Sequence, residues 1–124
     1  MREEVDRTEQ GRAAAEKVVD SVIARCQRMQ PKFAPGTAQH TLLKNRIQAM
    51  EIARRLLAEG EAAPSSAQEL TDALEPVASA LRKCEKARSK YAPDSGQYRR
   101  YGGTIQAMEL ARELMEAELR RRTS

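Results

Sequence analysis

Aromatic side chains are almost absent from this 124-residue chain, which has no Trp, one Phe and three Tyr. Sheets draw on aromatic and β-branched residues, whereas the Ala, Leu, Glu, Arg and Gln that abound here favour helices. That composition excludes a sheet protein. One His and two Cys leave no four-ligand zinc site of the usual kind. No apolar run approaches the roughly 18 residues that a membrane span needs. The opening Met1-Arg2-Glu3-Glu4 lacks the apolar core of a secretory signal. The expectation is a cytoplasmic all-α protein forming one domain, long enough to bury roughly two-thirds of its unfolded surface.

What the chain does have is a repeat. Cys26-Gln-Arg-Met-Gln-Pro-Lys-Phe-Ala-Pro-Gly-Thr matches Cys84-Glu-Lys-Ala-Arg-Ser-Lys-Tyr-Ala-Pro-Asp-Ser at an offset of 58 residues. Ile47-Gln-Ala-Met-Glu-Ile-Ala-Arg then matches Ile105-Gln-Ala-Met-Glu-Leu-Ala-Arg. Between Val19 and Leu57, 15 of 39 positions are identical in the second copy, far above chance for this composition. The expectation is a tandem duplication, residues 1–62 and 63–124, whose halves superpose as hairpins.

Each half reads as two helices. Ala15, Val19, Val22, Cys26 and Met29 form one apolar stripe, and Leu70, Leu74, Val77, Leu81 and Cys84 repeat it. Leu43, Ile47, Met50, Ala53 and Leu57 stripe the second helix; Tyr98, Tyr101, Ile105, Met108 and Met115 stripe the fourth. Pro35-Gly36-Thr37 and Pro93-Asp94-Ser95 break the chain, with Thr37 and Ser95 as N-caps. Gly60 to Ser66 reads as the linker, and Ser66 with Glu69 as a capping box. Pro76 predicts a kink or a late start in the third helix. Short connections between four helices predict an up-down-up-down bundle.

Charge is unevenly spread. The net charge is only +4, yet Arg25 to Arg46 holds five bases and no acid. The equivalent Lys83 to Thr104 holds six bases against two acids, so the rest of the chain is acidic. An up-down-up-down bundle brings both turns to one end, where two helix N-termini add their positive dipole ends. An anion-attracting pole is expected there.

Its candidate ligands each have a plainer role. Lys32 and Lys90 stand beside Phe33 and Tyr91, as phosphate contacts with a stacking ring or as solvated bases beside a core-closing ring. Thr37, Ser95, Gln39 and Gln97 lie on first helical turns. Capping accounts for the hydroxyls but not for the two glutamines. Tyr98, Arg99, Arg100 and Tyr101, followed by Gly102-Gly103, offer a stacking and charge platform; alternatively the tyrosines cap the core while the glycines admit close helix packing or break the helix. Gln48/Gln106, Glu51/Glu109 and Arg54/Arg112 suggest a surface ladder with a Glu51–Arg54 pair, or an arginine held for an anion or a subunit contact. Cys26 and Cys84 read as buried hydrophobes. Ala49, Ala53, Ala107 and Ala111 suit close packing, within the chain or across a homo-oligomer. No nucleophile, metal or P-loop spacing points to catalysis, and no cofactor is implied.

A hairpin with a Pro-Gly-Thr turn followed by a helix bearing apolar residues and Ala-Met resembles the phage anti-defence nucleotide sponges of the anti-CBASS and anti-Thoeris type. Pro35-Gly36-Thr37, Leu43, Ile47, Ala49-Met50 and Ala53 carry the resemblance, with their second-copy partners. It implies an oligomeric helical hairpin that sequesters a cyclic nucleotide without catalysis, in the host cytoplasm if phage-encoded. This chain lacks a Trp in the second helix and fuses two hairpins, so one chain would replace two subunits. The leading expectation is a non-enzymatic protein binding an anionic small molecule, a cyclic nucleotide being the candidate. Rivals are an interaction bundle that inhibits a protein partner, favoured by an apolar patch at the repeat seam, and a nucleic-acid-binding module.

Overall fold

The computed structural model describes residues 5–59 and 65–123. The opening Met1 to Glu4, most of the linker and the boundary between residues 62 and 63 lie outside that range. Four α-helices and no strand occur among the described residues: α1 (Glu9–Met29), α2 (Ala38–Glu59), α3 (Ala67–Arg88) and α4 (Gly96–Thr123). A 3₁₀ turn, Gln30–Lys32, extends α1. The starts of α1 and α3, and of α2 and α4, are each 58 residues apart.

Helix starts are set by side chains taking up orphan N–H groups. The Gly11 N–H donates to Thr8 Oγ1 at 3.1 Å. Ser66 and Glu69 form the expected capping box, with both hydrogen bonds at 3.0 Å. The His40 N–H donates to Thr37 Oγ1 and the Tyr98 N–H to Ser95 Oγ, at 3.3 and 3.1 Å. The two turns differ in backbone: Gly36 takes φ 91°, while among the described residues no non-glycine, Asp94 included, has a positive φ. Pro76 neither delays nor ends α3, which starts at Ala67 and runs through it to Arg88.

Antiparallel neighbours close the bundle. Arg12, near the start of α1, donates to the carbonyls of Leu56 and Leu57, near the end of α2. Arg122, at the end of α4, donates to the Ser65 carbonyl, and Arg55 of α2 to Ser65 Oγ. Both hairpin turns therefore lie at the opposite end, here called the turn end. Residues before α1 run back along α4: the Asp6 N–H donates to Gln106 Oε1, and Arg7 grips Glu113 through two bonds of 2.8 Å. A Cβ at Gly11 would lie 2.3 Å from the Asp6 carbonyl oxygen, so glycine admits this path.

Helices α2 and α4 are the inner pair. Each packs on both α1 and α3 and they also meet across the diagonal, whereas α1 and α3 make no approach. Ala49, Ala53, Ala107 and Ala111 are all at most 1% exposed, beside the fully buried Met50 and Met108. The four alanines thus pack within the chain, where small side chains let two backbones approach. Every residue from Ala107 to Ala111 is buried, Glu109 among them, because α4 meets neighbours on three sides. That corrects the surface ladder: Glu51 is exposed while Glu109 is not, and Arg54 reaches Asp20 on α1 at 3.5 Å. Met29, expected on the stripe, is 45% exposed, since α1 ends there and the chain turns away.

Cys26 is buried and Cys84 half-buried, both free. A disulfide needs Cα atoms within about 7 Å, and no Cα of α3 comes within 8 Å of α1. Burial pushes both thiols above the ordinary value of 9.0, against the pull of Arg25 and Arg46. Their protonated forms belong to the fold, so this contribution is complete below pH 9 and is lost as the thiols ionise at higher pH. Alkylation at pH 8 should therefore be slow in the native chain, reach Cys84 before Cys26, and become fast and equal in denaturant. Equal native rates, read by mass spectrometry of each cysteine, would contradict this placement.

Candidate functional site

The turn end presents the basic residues outward. Lys32, Lys90, Arg99 and Arg100 are exposed, as are Gln39 and Gln97. Thr37 and Ser95 are committed to their turns: each accepts the cap bond and donates its own hydroxyl at 2.8 Å, to Ala34 and Ala92 carbonyls respectively. Phe33 is half-buried against the core, in the core-closing role.

The second hairpin adds a feature that the first lacks among the described residues. Its turn folds α3 back onto α4, which sets the Arg88 guanidinium 4.9 Å from the centre of the Tyr98 ring. Three residues further along each strand of the turn, Tyr91 stacks on Tyr101 with centroids 5.9 Å apart and planes at 21°. A cavity of about 410 Å³ opens beside the cation–ring pair, lined by Arg88, Pro93, Tyr98, Arg99, Gly102, Gly103 and Gln106. Two arginines and no acid border it. Gln106 is held from behind by the Asp6 N–H, and Arg99 is steadied by donating to the Asp94 carbonyl at 3.3 Å.

The glycines have no structural reason to be glycine. Helix α4 runs through Gly102 and Gly103, both with ordinary negative φ. A Cβ at Gly103 would meet nothing within 4 Å, and one at Gly102 only Arg88 Nη1 at 3.8 Å. Neither close packing nor a helix break explains them. Glycine inside a helix costs roughly 0.5–1 kcal/mol relative to alanine, and here its effect is to leave the cavity wall without side chains.

Of the sequence candidates, Tyr98 and Arg99 thus share one cavity, Tyr101 stands next to it in the ring stack, and Lys32, Thr37 and Gln39 belong to the other turn. Two residues were counted in the basic spans without being singled out. Arg88 became visible only through the fold, since its contact with Tyr98 crosses the turn. Arg46 left a signal in the sequence: it stands three residues after Leu43 and four before Met50, on the apolar stripe itself. It is half-buried, with Nε and Nη2 sealed from solvent and unbonded.

A larger cavity, about 700 Å³, lies away from this end between α2 and α3. Ala49, Ile52 and Ala73 floor it, Leu42 stands 44% exposed at its mouth, and Glu51, Glu69, Asp72 and Glu75 rim it. Among the described residues no helix is long and apolar enough to cross a membrane, and no three His, Cys, Asp or Glu side chains gather as metal ligands. No protein family, curated protein or solved structure matches this chain.

Proposed function

We propose that this chain is a non-enzymatic binding protein that sequesters a phosphate-bearing small molecule at its turn end, a cyclic nucleotide signal being the first candidate. The observation that carries the reading is the Gly102-Gly103 pair, which costs helix stability, serves no packing, and opens a cavity bordered by Arg88, Tyr98 and Arg99. Its volume falls within the usual range for small-molecule pockets, about 300–1,000 Å³. A guanidinium laid over a phenol ring offers a flat cationic surface to a base, and Arg99 with the start of α4 offers charge to a phosphate.

The test is thermal stabilisation against cyclic and linear nucleotides, cyclic ADP-ribose forms, inorganic phosphate, and short DNA and RNA. A ligand at 100 times its Kd adds about 2.7 kcal/mol. The double substitution Gly102→Ala and Gly103→Ala is expected to stabilise the free chain by about 1–2 kcal/mol while weakening nucleotide binding at least tenfold. Unchanged affinity in that variant would remove the cavity from the reading. A shift only with long DNA or RNA that disappears in salt would mark nucleic-acid binding instead.

The groove at the repeat seam favours a second reading. Its apolar floor and acidic rim suit a basic amphipathic segment of a protein partner. A panel without any nucleotide shift, with binding of such a helical peptide lost on Asp72→Lys and Glu75→Lys, would select it.

A further inference from the structure

The repeat gives each face of this bundle an internal control. Gln106, Glu109, Leu110 and Glu113 share one face of α4, and at the 58-residue offset Gln48, Glu51, Ile52 and Arg55 share the same face of α2. The chain itself covers the α4 face. Val5 packs on the core, the Asp6 N–H donates to Gln106 Oε1, and Arg7 grips Glu113. Residues 5–7 belong to no helix, and they form a strap across this face. Between its two anchor points Glu109 is buried.

On α2 the equivalent face is open. Gln48 and Glu51 are exposed there and line the cavity of about 700 Å³ against α3, over Ala49, Ile52 and Ala73. Two substitutions between the copies account for the difference. Ser65 stands where the strap has Arg7, and it takes a hydrogen bond from Arg55 where Arg7 meets Glu113. Pro64 stands where the strap has Asp6, and proline has no N–H to offer Gln48.

The walls differ in charge as well. Where α1 carries Gly11, Ala14 and Lys17, α3 carries Glu69, Asp72 and Glu75 at the same offset. With Glu51 they set four acids around the groove against Arg55 alone. Glu69 is engaged in the capping box, and Glu75 holds Arg82 in an exposed pair of little strength. Asp72 accepts only the neutral Gln68 amide, and no base among the described residues pairs with it or with Glu51. Residues 1–8 of a second copy suit these walls poorly, because Glu3, Glu4 and Asp6 outnumber Arg2 and Arg7.

We propose that the α2–α3 groove binds an extended basic segment of a protein partner, laid over Gln48 and Glu51 as Val5 to Arg7 lie over Gln106 and Glu109. The inference rests on the second reading above and narrows its partner to a non-helical strap. A backbone N–H of that strap meets Gln48 Oε1, an apolar side chain covers Ala49 and Ile52, and a base meets Glu51 and Asp72.

The probe is the capped peptide Ala-Val-Lys-Arg-Ala, titrated into the full chain at low salt and followed by amide NMR. It should move the Gln48 side-chain amide and the backbone amides of Glu51, Ile52 and Asp72, leaving Lys90 and Arg99 at the turn end unmoved. Glu51→Lys with Asp72→Lys, both at exposed positions, should weaken this peptide about tenfold and take up Ala-Val-Glu-Glu-Ala instead. Methylating the backbone nitrogen of the peptide lysine removes the N–H meant for Gln48 and should cost about threefold; undiminished affinity would overturn the strap geometry.

A capped amphipathic helical Leu-Lys peptide separates the two claims. If it moves these amides and the extended peptide does not, the second reading stands and the strap is overturned. If neither peptide moves them, both fall. If the same amides shift with rising protein concentration and the extended peptide cannot compete, the occupant is a second copy, and the proposal is overturned.

Discussion

Truncating Met108 to alanine is expected to destabilise the chain by about 2–5 kcal/mol, a large share of the roughly 5–15 kcal/mol that holds a domain of this kind folded. Met108 is fully buried on the inner helix α4, between Ala107 and Ala111, where the surrounding backbones are already close. A cavity there has little chance to collapse, because neighbours on three sides hold α4 in place. The reverse change tests the same contact from the other direction. Ala111→Leu should cost about 1–3 kcal/mol by forcing α4 away from its neighbours, whereas Ala117→Leu, on the exposed face of the same helix, should leave stability within about 0.5 kcal/mol. Urea melts of the three variants provide the check. Equal effects at positions 111 and 117 would mean that α4 is not the inner helix.

The helices were legible because each stripe keeps one period and each break carries its own chemistry. Val19, Leu43, Ile47, Leu70, Val77 and Met115 fall where the pattern puts them, and Ser66-Glu69 caps α3 as its spacing predicts. The pattern failed where burial depends on how many neighbours a helix has. Ile23, Ile52, Leu56 and Leu110 widen the buried faces beyond one stripe, and Glu109 is enclosed although its repeat mate Glu51 is exposed. A periodicity counts one face; α2 and α4 each have more than one.

At the candidate site, charge was legible and pairing was not. The basic spans are a matter of counting, but Arg88 over Tyr98 and Tyr91 against Tyr101 are contacts across a turn whose geometry no spacing encodes. Arg46 is the instructive case. Read by charge it belongs to a solvated face; read by position it belongs to the core; the structure has it half-buried, with Nε and Nη2 sealed from solvent.

Acid is expected to open this bundle from the end away from the turns. Three carboxylates, one just before α1, one in the first turn of α3 and one near the end of α4, lie below their ordinary values. The Thr8 hydroxyl, then its N–H, lowers Asp6; the Ser66 N–H, then its hydroxyl, lowers Glu69. Hydrogen bonds from Arg121 and Arg122 lower Glu118. In each case the native state binds the proton more weakly than the unfolded chain, so stability rises with pH across this window. The contributions are complete above the ordinary values of 3.8 for Asp and 4.5 for Glu, and are lost as pH falls through the lower native values. Glu118 matters most for architecture, because Arg122 bonds both to it and to the Ser65 carbonyl, joining the end of α4 to the approach of α3. Glu118→Gln should therefore lower the melting temperature at pH 7, and the gap to the wild type should narrow as pH falls below the ordinary value of 4.5. Hydrogen exchange on the wild type should lose protection first in the opening turn of α3 and the closing turn of α4. The first turn of α2, in a stretch with no acid from Arg25 to Arg46, should keep its protection longest of the helix ends. A gap between variant and wild type that persists unchanged at pH 3 would show that Glu118 acts by packing rather than by charge.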